Sequence, residues 1–259
     1  VQGFKVGDHV IADPRVTCGK CQWCQEGAYN LCPELSFIGE ICPGSYAEYI
    51  LMDAEKLIPV PAELDMRRAA LVEPMAVALH VIDQGKITEN DSVGVIGVGP
   101  IGLLTIVAAR GVGVKNITAV DISPARLEIA QKVGASTILT SVPEDSTKAV
   151  DVVVEAAGRE VTLSDAFKWL KPKGRLVMPA LYEEPVTIDP NDVVCKELVL
   201  TGVNCYNTLD LQKAIDFLLN CSADVEQVIT HVLPLSSVNE AFSMLTTAGS
   251  KTAKILLAP

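Results

Sequence analysis

The chain has 259 residues, enough to bury a sizeable core in one or two domains; 49% of them are apolar and only 5% aromatic, a profile common among α/β enzymes. Its net charge of −11 argues against nucleic acid or an anionic membrane as the main partner. The longest uncharged run, Ser92 to Ala109, is interrupted by Gly94, Gly97, Gly99, Pro100 and Gly102, so it does not read as a membrane span. No basic stretch followed by an apolar one opens the sequence, so no secretory signal is expected. Four of the eight cysteines fall within 15 residues, which reads as metal binding in a reducing, cytoplasmic compartment rather than as a disulfide framework.

In chain order, Lys5-Val6-Gly7-Asp8 predicts a turn and His9 to Ala12 a strand. Next come Cys18, Cys21, Cys24 and Cys32, a C-x2-C-x2-C-x7-C spacing that lets one short lobe wrap four thiolates around a tetrahedral ion. Zinc fits best, and a closed site of four cysteines would be structural. An iron–sulfur cluster and a disulfide pair are the alternatives, although the C-x3-C-P continuation of the ferredoxin motifs is absent. Cys42 reads as a spare buried thiol. Ser45 to Leu51 and Lys56 to Pro59 read as strands, which makes the segment to Pro61 a β-rich module.

From Asp65 the texture turns helical, with one helix over Met66 to Leu71 and a second from Pro74, at its first position, to about Gln84. Glu73 lies between Leu71-Val72 and Met75-Ala76-Val77. A carboxylate in so apolar a setting needs a partner or a metal; it could equally be a helix-terminal acid satisfied by backbone N–H groups. His80 reads as a satisfied core or surface histidine, and His9 and His231 have no ligand spacing.

The strongest signal is Asp91 to Asp121. Val93 to Ile96 reads as a buried strand. Gly97-Val98-Gly99-Pro100-Ile101-Gly102 is a G-x-G-x-x-G turn, Leu103 to Arg110 a helix, and Asn116 to Val120 a second strand ending at Asp121, 19 residues after the last glycine. In that context the motif is a dinucleotide fingerprint. Gly97 allows the turn, Gly99 lets the backbone approach a pyrophosphate, and Gly102 lets the helix pack on the sheet. The helix N-terminus faces the phosphates. Asp121 would accept from the ribose hydroxyls and repel a 2′-phosphate, with no cation in Ile122-Ser123-Pro124 to offset it, so NAD is expected over NADP.

The βα rhythm continues with a helix over Ser123 to Val133, capped by Ser123 and closed by Gly134. Strands follow at Thr137 to Leu139, Val150 to Val154, Gly174 to Met178 and Leu198 to Gly202, with a helix over Val161 to Leu170. Six strands with crossover helices predict a doubly wound parallel sheet. Leu209 to Asn220 is amphipathic; then short strands return at Val228 to Val232 and Ala253 to Leu257, around a helix over Ser236 to Thr246.

Together these features resemble the zinc-containing medium-chain dehydrogenases. The resemblance is carried by Gly7-Asp8-His9-Val10, the cysteine quartet with Tyr29-Asn30-Leu31-Cys32-Pro33, Gly44 to Tyr49, Leu71 to His80, and Gly97 to Gly102 with Asp121. Glu73-Pro74-Met75-Ala76-Val77-Ala78-Leu79-His80 is most similar to the polyol branch, with its sorbitol and butanediol dehydrogenases; threonine dehydrogenases are a further relative. The resemblance implies a Rossmann domain, residues 76–220, inserted in a β-rich GroES-like catalytic domain, residues 1–75 and 221–259. It implies Gly97, Gly99, Ile101, Gly102, Asp121 and Arg126 as cofactor contacts, with Arg126 at the adenosine end, and Tyr206 and Glu73 on the substrate side. Where sorbitol dehydrogenases carry an arginine before that tyrosine, this chain has Cys205.

A catalytic zinc is implied too, with Glu73 as the candidate ligand here. The family's Cys and Gly-His-Glu ligands belong to a segment preceding this sequence. The expectation is therefore a family member lacking its N-terminal portion, inactive or nearly so as Val1 to Pro259. The complete protein is expected to oxidise a secondary alcohol or polyol with NAD, as a homodimer or homotetramer. The alternatives are a threonine 3-dehydrogenase-like enzyme and an inactive NAD-binding module with a zinc lobe.

Overall fold

The structure, a computed structural model, describes residues 3–247 and 251–259. The N-terminal stretch is built from short pieces. Strand β1 (Val10–Ala12) pairs antiparallel with β4 (Leu57–Pro59), and β2 (Arg15–Val16) with β3 (Ser36–Phe37). Between β2 and β3 lie α1 (Gln22–Gln25) and a single 3-10 turn, Tyr29–Leu31.

Residues 45–51, expected as a strand, form none. Tyr49 is 89% and Leu51 100% exposed. A strand is completed by its neighbour's hydrogen bonds, and among the described residues no strand lies beside this one. Cys42, expected as buried, is exposed in the same open loop.

Helix α2 (Met66–Ala69) starts on Asp65, whose carboxylate accepts from the Arg67 N–H at 2.8 Å. Helix α3 (Val72–Gln84) begins two residues earlier than its proline suggests. Pro74 is its third residue, still in the first turn, where no N–H is needed. Glu73 therefore sits at the N-terminal end of α3, partly buried.

The sheet follows the predicted rhythm: β5 (Ser92–Ile96), α4 (Pro100–Gly111), β6 (Asn116–Val120), α5 (Pro124–Lys132), β7 (Thr137–Leu139), β8 (Val150–Glu155), α6 (Glu160–Trp169), β9 (Leu170–Met178), α7 (Pro190–Val194) and β10 (Val199–Gly202). The strands are all parallel, in the order β10-β9-β8-β5-β6-β7. The chain runs outward from β5 through β6 to β7, then returns beside β5 and runs the other way. A crevice for a ligand is expected where the winding reverses, at the carboxyl ends of β5 and β8. Alternation along β8 divides the core in two. Val152 and Val154 pack with α3, α4 and α8 (Thr208–Asn220), and Val153 packs with α6.

Helix α8 opens with a capping box: Asn207 accepts from Leu209 and Asp210 N–H groups, and Asp210 accepts from the Asn207 N–H at 2.9 Å. Asp210 is fully buried beside His80, whose Nδ1 lies 2.9 Å from it, so His80 belongs to the α3–α8 contact. The chain closes with β11 (Ile229–Pro234), α9 (Val238–Thr246) and β12 (Lys254–Ala258), the two strands pairing parallel. Among the described residues no helix is long and apolar enough to cross a membrane.

Candidate functional site: a glycine crevice, a cysteine lobe and a buried polar cluster

The turn after β5 has the shape of a phosphate cradle. Gly97 has φ of 85°, a left-handed conformation, and a Cβ there would come within 2.9 Å of Ala157. A Cβ on Gly102 would lie 2.0 Å from the Gly97 carbonyl oxygen, which fixes how closely α4 approaches the turn. A Cβ on Gly99 would meet nothing within 4 Å, so that face of the turn is open. Ile101 follows in the first turn of α4, whose leading N–H groups have no partners within the helix. A dinucleotide pyrophosphate fits this arrangement.

Asp121 ends β6 and ties the cradle together. Its Oδ2 accepts from the Val98 N–H and its Oδ1 from the Ser123 N–H, both at 2.8 Å. Each oxygen keeps a lone-pair direction for a ribose hydroxyl. Arg126, on α5, lines the pocket beside Asp121 and donates from Nε to the Thr252 carbonyl at 3.1 Å. Lys251 lines the same pocket. The expectation that no cation stands near Asp121 therefore holds for its sequence neighbours and not for the folded chain.

On the other side of the switch point, Glu155 ends β8 fully buried. Its carboxylate accepts from the Ala157 and Gly158 N–H groups at 3.0 Å, from Thr162 Oγ1 at 2.8 Å and from the Tyr182 hydroxyl at 2.6 Å. Burial and this carboxylate both push the Tyr182 phenol well above its ordinary value. The loop so fixed, with Ala156 and Ala157, lines the crevice with Gly97 and Gly99. Glu155 has no role in the reading from sequence, which ends this strand at Val154. A carboxylate closing an apolar strand just before Ala-Ala-Gly was the signal available.

The four cysteines come together as their spacing predicts. The Sγ atoms of Cys18, Cys21, Cys24 and Cys32 all lie within 4.8 Å of one another. Ligands at about 2.3 Å from a tetrahedral zinc stand roughly 3.8 Å apart, so the set fits that ion. None of the four forms a disulfide. The Lys20 and Cys21 N–H groups pull the Cys18 thiol down to about 7. At Cys21 the Cys24 N–H acts in the same direction, yet burial and the neighbouring thiols win and raise it to about 11. Four such groups cannot all ionise side by side without a cation, and a divalent metal supplies one.

Glu73 and Tyr206 also come together, and the structure adds residues the sequence did not single out. Arg15 is fully buried, with its guanidinium on Asp13 at 2.8 Å and its Cζ 4.4 Å from the centre of the Tyr206 ring. Its Nη1 donates to the Tyr206 carbonyl at 2.5 Å. Tyr206 is fully buried, and its hydroxyl lies near the Glu73 carboxyl without a well-formed hydrogen bond. Burial raises the Glu73 carboxyl above its ordinary value, with Asp13 adding to this, while Lys254, Tyr206 and Arg15 oppose it. Burial in turn lowers the Lys254 ammonium, opposed by Glu73. Among the described residues the cysteine quartet is the only group of three or more His, Cys, Asp or Glu placed to hold an ion, and the charged neighbours of Glu73 are Lys254, Asp13 and Arg15.

Comparison with known proteins agrees with these features. Residues 1–62 match the family model "Alcohol dehydrogenase GroES-like domain" and residues 100–220 match "Zinc-binding dehydrogenase". Sorbitol dehydrogenase of Bacillus subtilis is 31% identical over 273 residues, covering 100% of this chain and 76% of its own length. The crystal structure of 2R,3R-butanediol dehydrogenase from Bacillus subtilis superposes with a TM-score of 0.89 at 32% identity, covering 100% of this chain and 76% of that one. A putative zinc-binding dehydrogenase from Sinorhizobium meliloti, solved bound to NADP, gives 0.91 at 28% identity, covering 100% and 79%. Zinc and a nicotinamide cofactor are therefore the groups this fold is built for. The parallel six-strand sheet, the glycine cradle, the cysteine lobe and these matches place the chain in the zinc-containing medium-chain dehydrogenases, an oxidoreductase family, on its polyol dehydrogenase-like side.

Proposed function

We propose that the protein interconverts a secondary alcohol or polyol and its ketone, using NAD in preference to NADP. The observation that carries this reading is the placement of a carboxylate with two free lone-pair directions, Asp121, beside an open glycine turn. Bound there, NAD⁺ supplies the hydride acceptor: the alcohol carbon gives up hydride, the hydroxyl gives up a proton, and ketone and NADH result. Gly99 leaves room for the pyrophosphate, and the α4 terminus faces its charge. Asp121 holds the adenosine ribose and opposes a 2′-phosphate, with Lys251 and Arg126 as the cations it must outweigh. Glu73 and the Tyr206 hydroxyl near it are assigned to hold substrate hydroxyls. The cysteine lobe is assigned a structural zinc. Residues 76–220 are assigned to the cofactor half, and 1–75 with 221–259 to the catalytic half.

A second reading, an NAD-binding module without catalysis, is supported by the absence of a second metal-capable group among the described residues. One screen separates the two: reduction of NAD⁺ and NADP⁺ by the zinc-replete gene product with butanediol, sorbitol, threonine and simple secondary alcohols. Alcohol-dependent NADH supports the enzyme reading, threonine as the preferred substrate moves it to the threonine branch, and cofactor binding without turnover supports the module.

Strand β10 is one edge of the sheet, and Val199 on it is 54% exposed. An exposed apolar edge seeks a partner, so we assign a homodimer or homotetramer. A monomeric mass at micromolar concentration in light scattering would count against that.

A further inference from the structure

The lobe and the substrate-side loop share contacts that a purely structural metal site does not need. Asn30 lies in the 3-10 turn leading into Cys32, whose own N–H bonds back to the Tyr29 carbonyl. It is 5% exposed. Its Nδ2 donates to the Asn204 carbonyl at 3.0 Å, and Asn204 Nδ2 donates back to the Asn30 carbonyl at 2.6 Å. Such a reciprocal pair of short side chains forms only when both backbones hold one register.

The loop it grips is already constrained. Cys205, next to Asn204, has φ of 52°, which a side-chain-bearing residue adopts only when its surroundings enforce it. That turn sends Tyr206 inward, and the Tyr206 carbonyl is held by Arg15. The two anchors of the loop thus lie on one segment, Arg15 just before the cysteine quartet and Asn30 within it.

We propose that the Asn30–Asn204 pair is a clamp through which the metal lobe sets the position of the Cys205–Tyr206 turn, so that the lobe is a positioning element for the alcohol side of the site. The alcohol part of this inference rests on the assignment of Glu73 and Tyr206 under Proposed function. A metal that orders residues 18–32 orders Asn30 directly, whereas Arg15 is held on β2 by its pairing with β3 and by Asp13. Loss of the clamp frees a strained turn, and the half-buried Cys205 thiol, which lies 3.5 Å from Asn204 Oδ1, becomes more exposed. The glycine crevice is built from other residues and is left unchanged.

The test measures iodoacetamide labelling of Cys205 by peptide mass mapping in the zinc-loaded protein, with zinc content, NAD⁺ affinity and alcohol KM measured in parallel. Asn30→Ala and Asn204→Ala are each expected to keep zinc and NAD⁺ affinity while Cys205 labels roughly tenfold faster, as local opening predicts. Alcohol KM should rise several-fold with the NAD⁺ KM little changed, a split that a merely stabilising contact does not produce. Wild-type protein stripped of zinc should show the same Cys205 acceleration. If Asn30→Ala loses zinc, Asn204→Ala decides, since it leaves the lobe intact. An unchanged Cys205 rate in Asn204→Ala, or after zinc removal, overturns the clamp. Accelerated labelling with no alcohol turnover in any form leaves the clamp standing and removes the alcohol assignment instead.

Discussion

The cofactor crevice and the Glu73 cluster are built in opposite ways. The crevice comes mainly from one continuous stretch, Gly97 to Asp121, set on rigid parallel strands and tied by Asp121 to its own turn. The cluster takes Asp13, Arg15, Glu73, Cys205, Tyr206 and Lys254 from four separate segments and buries several charges together. The first gains precision from local geometry. The second gains it from tertiary contacts and holds its charges at a cost in solvation. The crevice should therefore survive damage elsewhere, and the cluster should not.

The largest break in that comparison comes from the lobe. Cys24→Ser removes one ligand of a closed metal site, which should lower stability by several kcal/mol and shift Tm by about 10 °C. Calorimetry with zinc analysis would read the loss, and titration should find NAD⁺ affinity within about twofold of wild type. An equal fall in NAD⁺ affinity would mean that the crevice is not independent.

The crevice itself is broken at Asp121. Asp121→Ser with Ile122→Arg should weaken NAD⁺ roughly 10- to 100-fold and improve NADP⁺, because a charge-assisted acceptor is replaced by a cation beside Arg126 and Lys251. Binding titrations with both cofactors check this. A wild type that already prefers NADP⁺ would show that those two cations outweigh the carboxylate.

A smaller effect is expected at Glu155, whose loop lines the crevice with Gly97 and Asp121. Glu155→Gln puts an amide where four donors point, leaving one facing a donor, at a cost of about 1–3 kcal/mol. The KM for NAD⁺ should rise several-fold, with a milder effect in Tyr182→Phe, which removes one hydroxyl. Initial-rate kinetics and thermal melts separate the two contributions.

The smallest and most diagnostic change is Glu73→Gln. Burial raises the Glu73 carboxyl in the folded state, so folding favours its protonated form. Its contribution to stability is fully present below the ordinary carboxylate value and is lost as pH climbs through the raised one. The glutamine variant should melt slightly higher than wild type at neutral pH and show no advantage in acid, while losing alcohol turnover. A lower melting temperature at neutral pH would mean that Lys254, Tyr206 and Arg15 more than offset the burial.

The same contrast explains what could be read from the sequence. The crevice was legible because glycine spacing, apolar strands and the acid sit within one βαβ unit, and the cysteine lobe because its ligands are close in sequence. Asp13, Arg15 and Lys254 carried no spacing signal; the fold alone brings them to Glu73 and Tyr206. Lys251 reaches Asp121 in the same way. Residues 45–51 carry Tyr46, Tyr49 and Ile50, residue types that strands favour, but composition cannot supply a neighbour to pair with. Pro74 was read as the first helical residue because that is where proline is favoured, although any position in the first turn tolerates it.

The most direct measurement is alcohol-dependent reduction of NAD⁺ by the zinc-replete gene product, followed as NADH absorbance with the diol and polyol panel. The prediction is NADH formation with a secondary alcohol or polyol, more slowly with NADP⁺, and abolished in Glu73→Gln. NAD⁺ that binds tightly yet is reduced by none of these alcohols would contradict it.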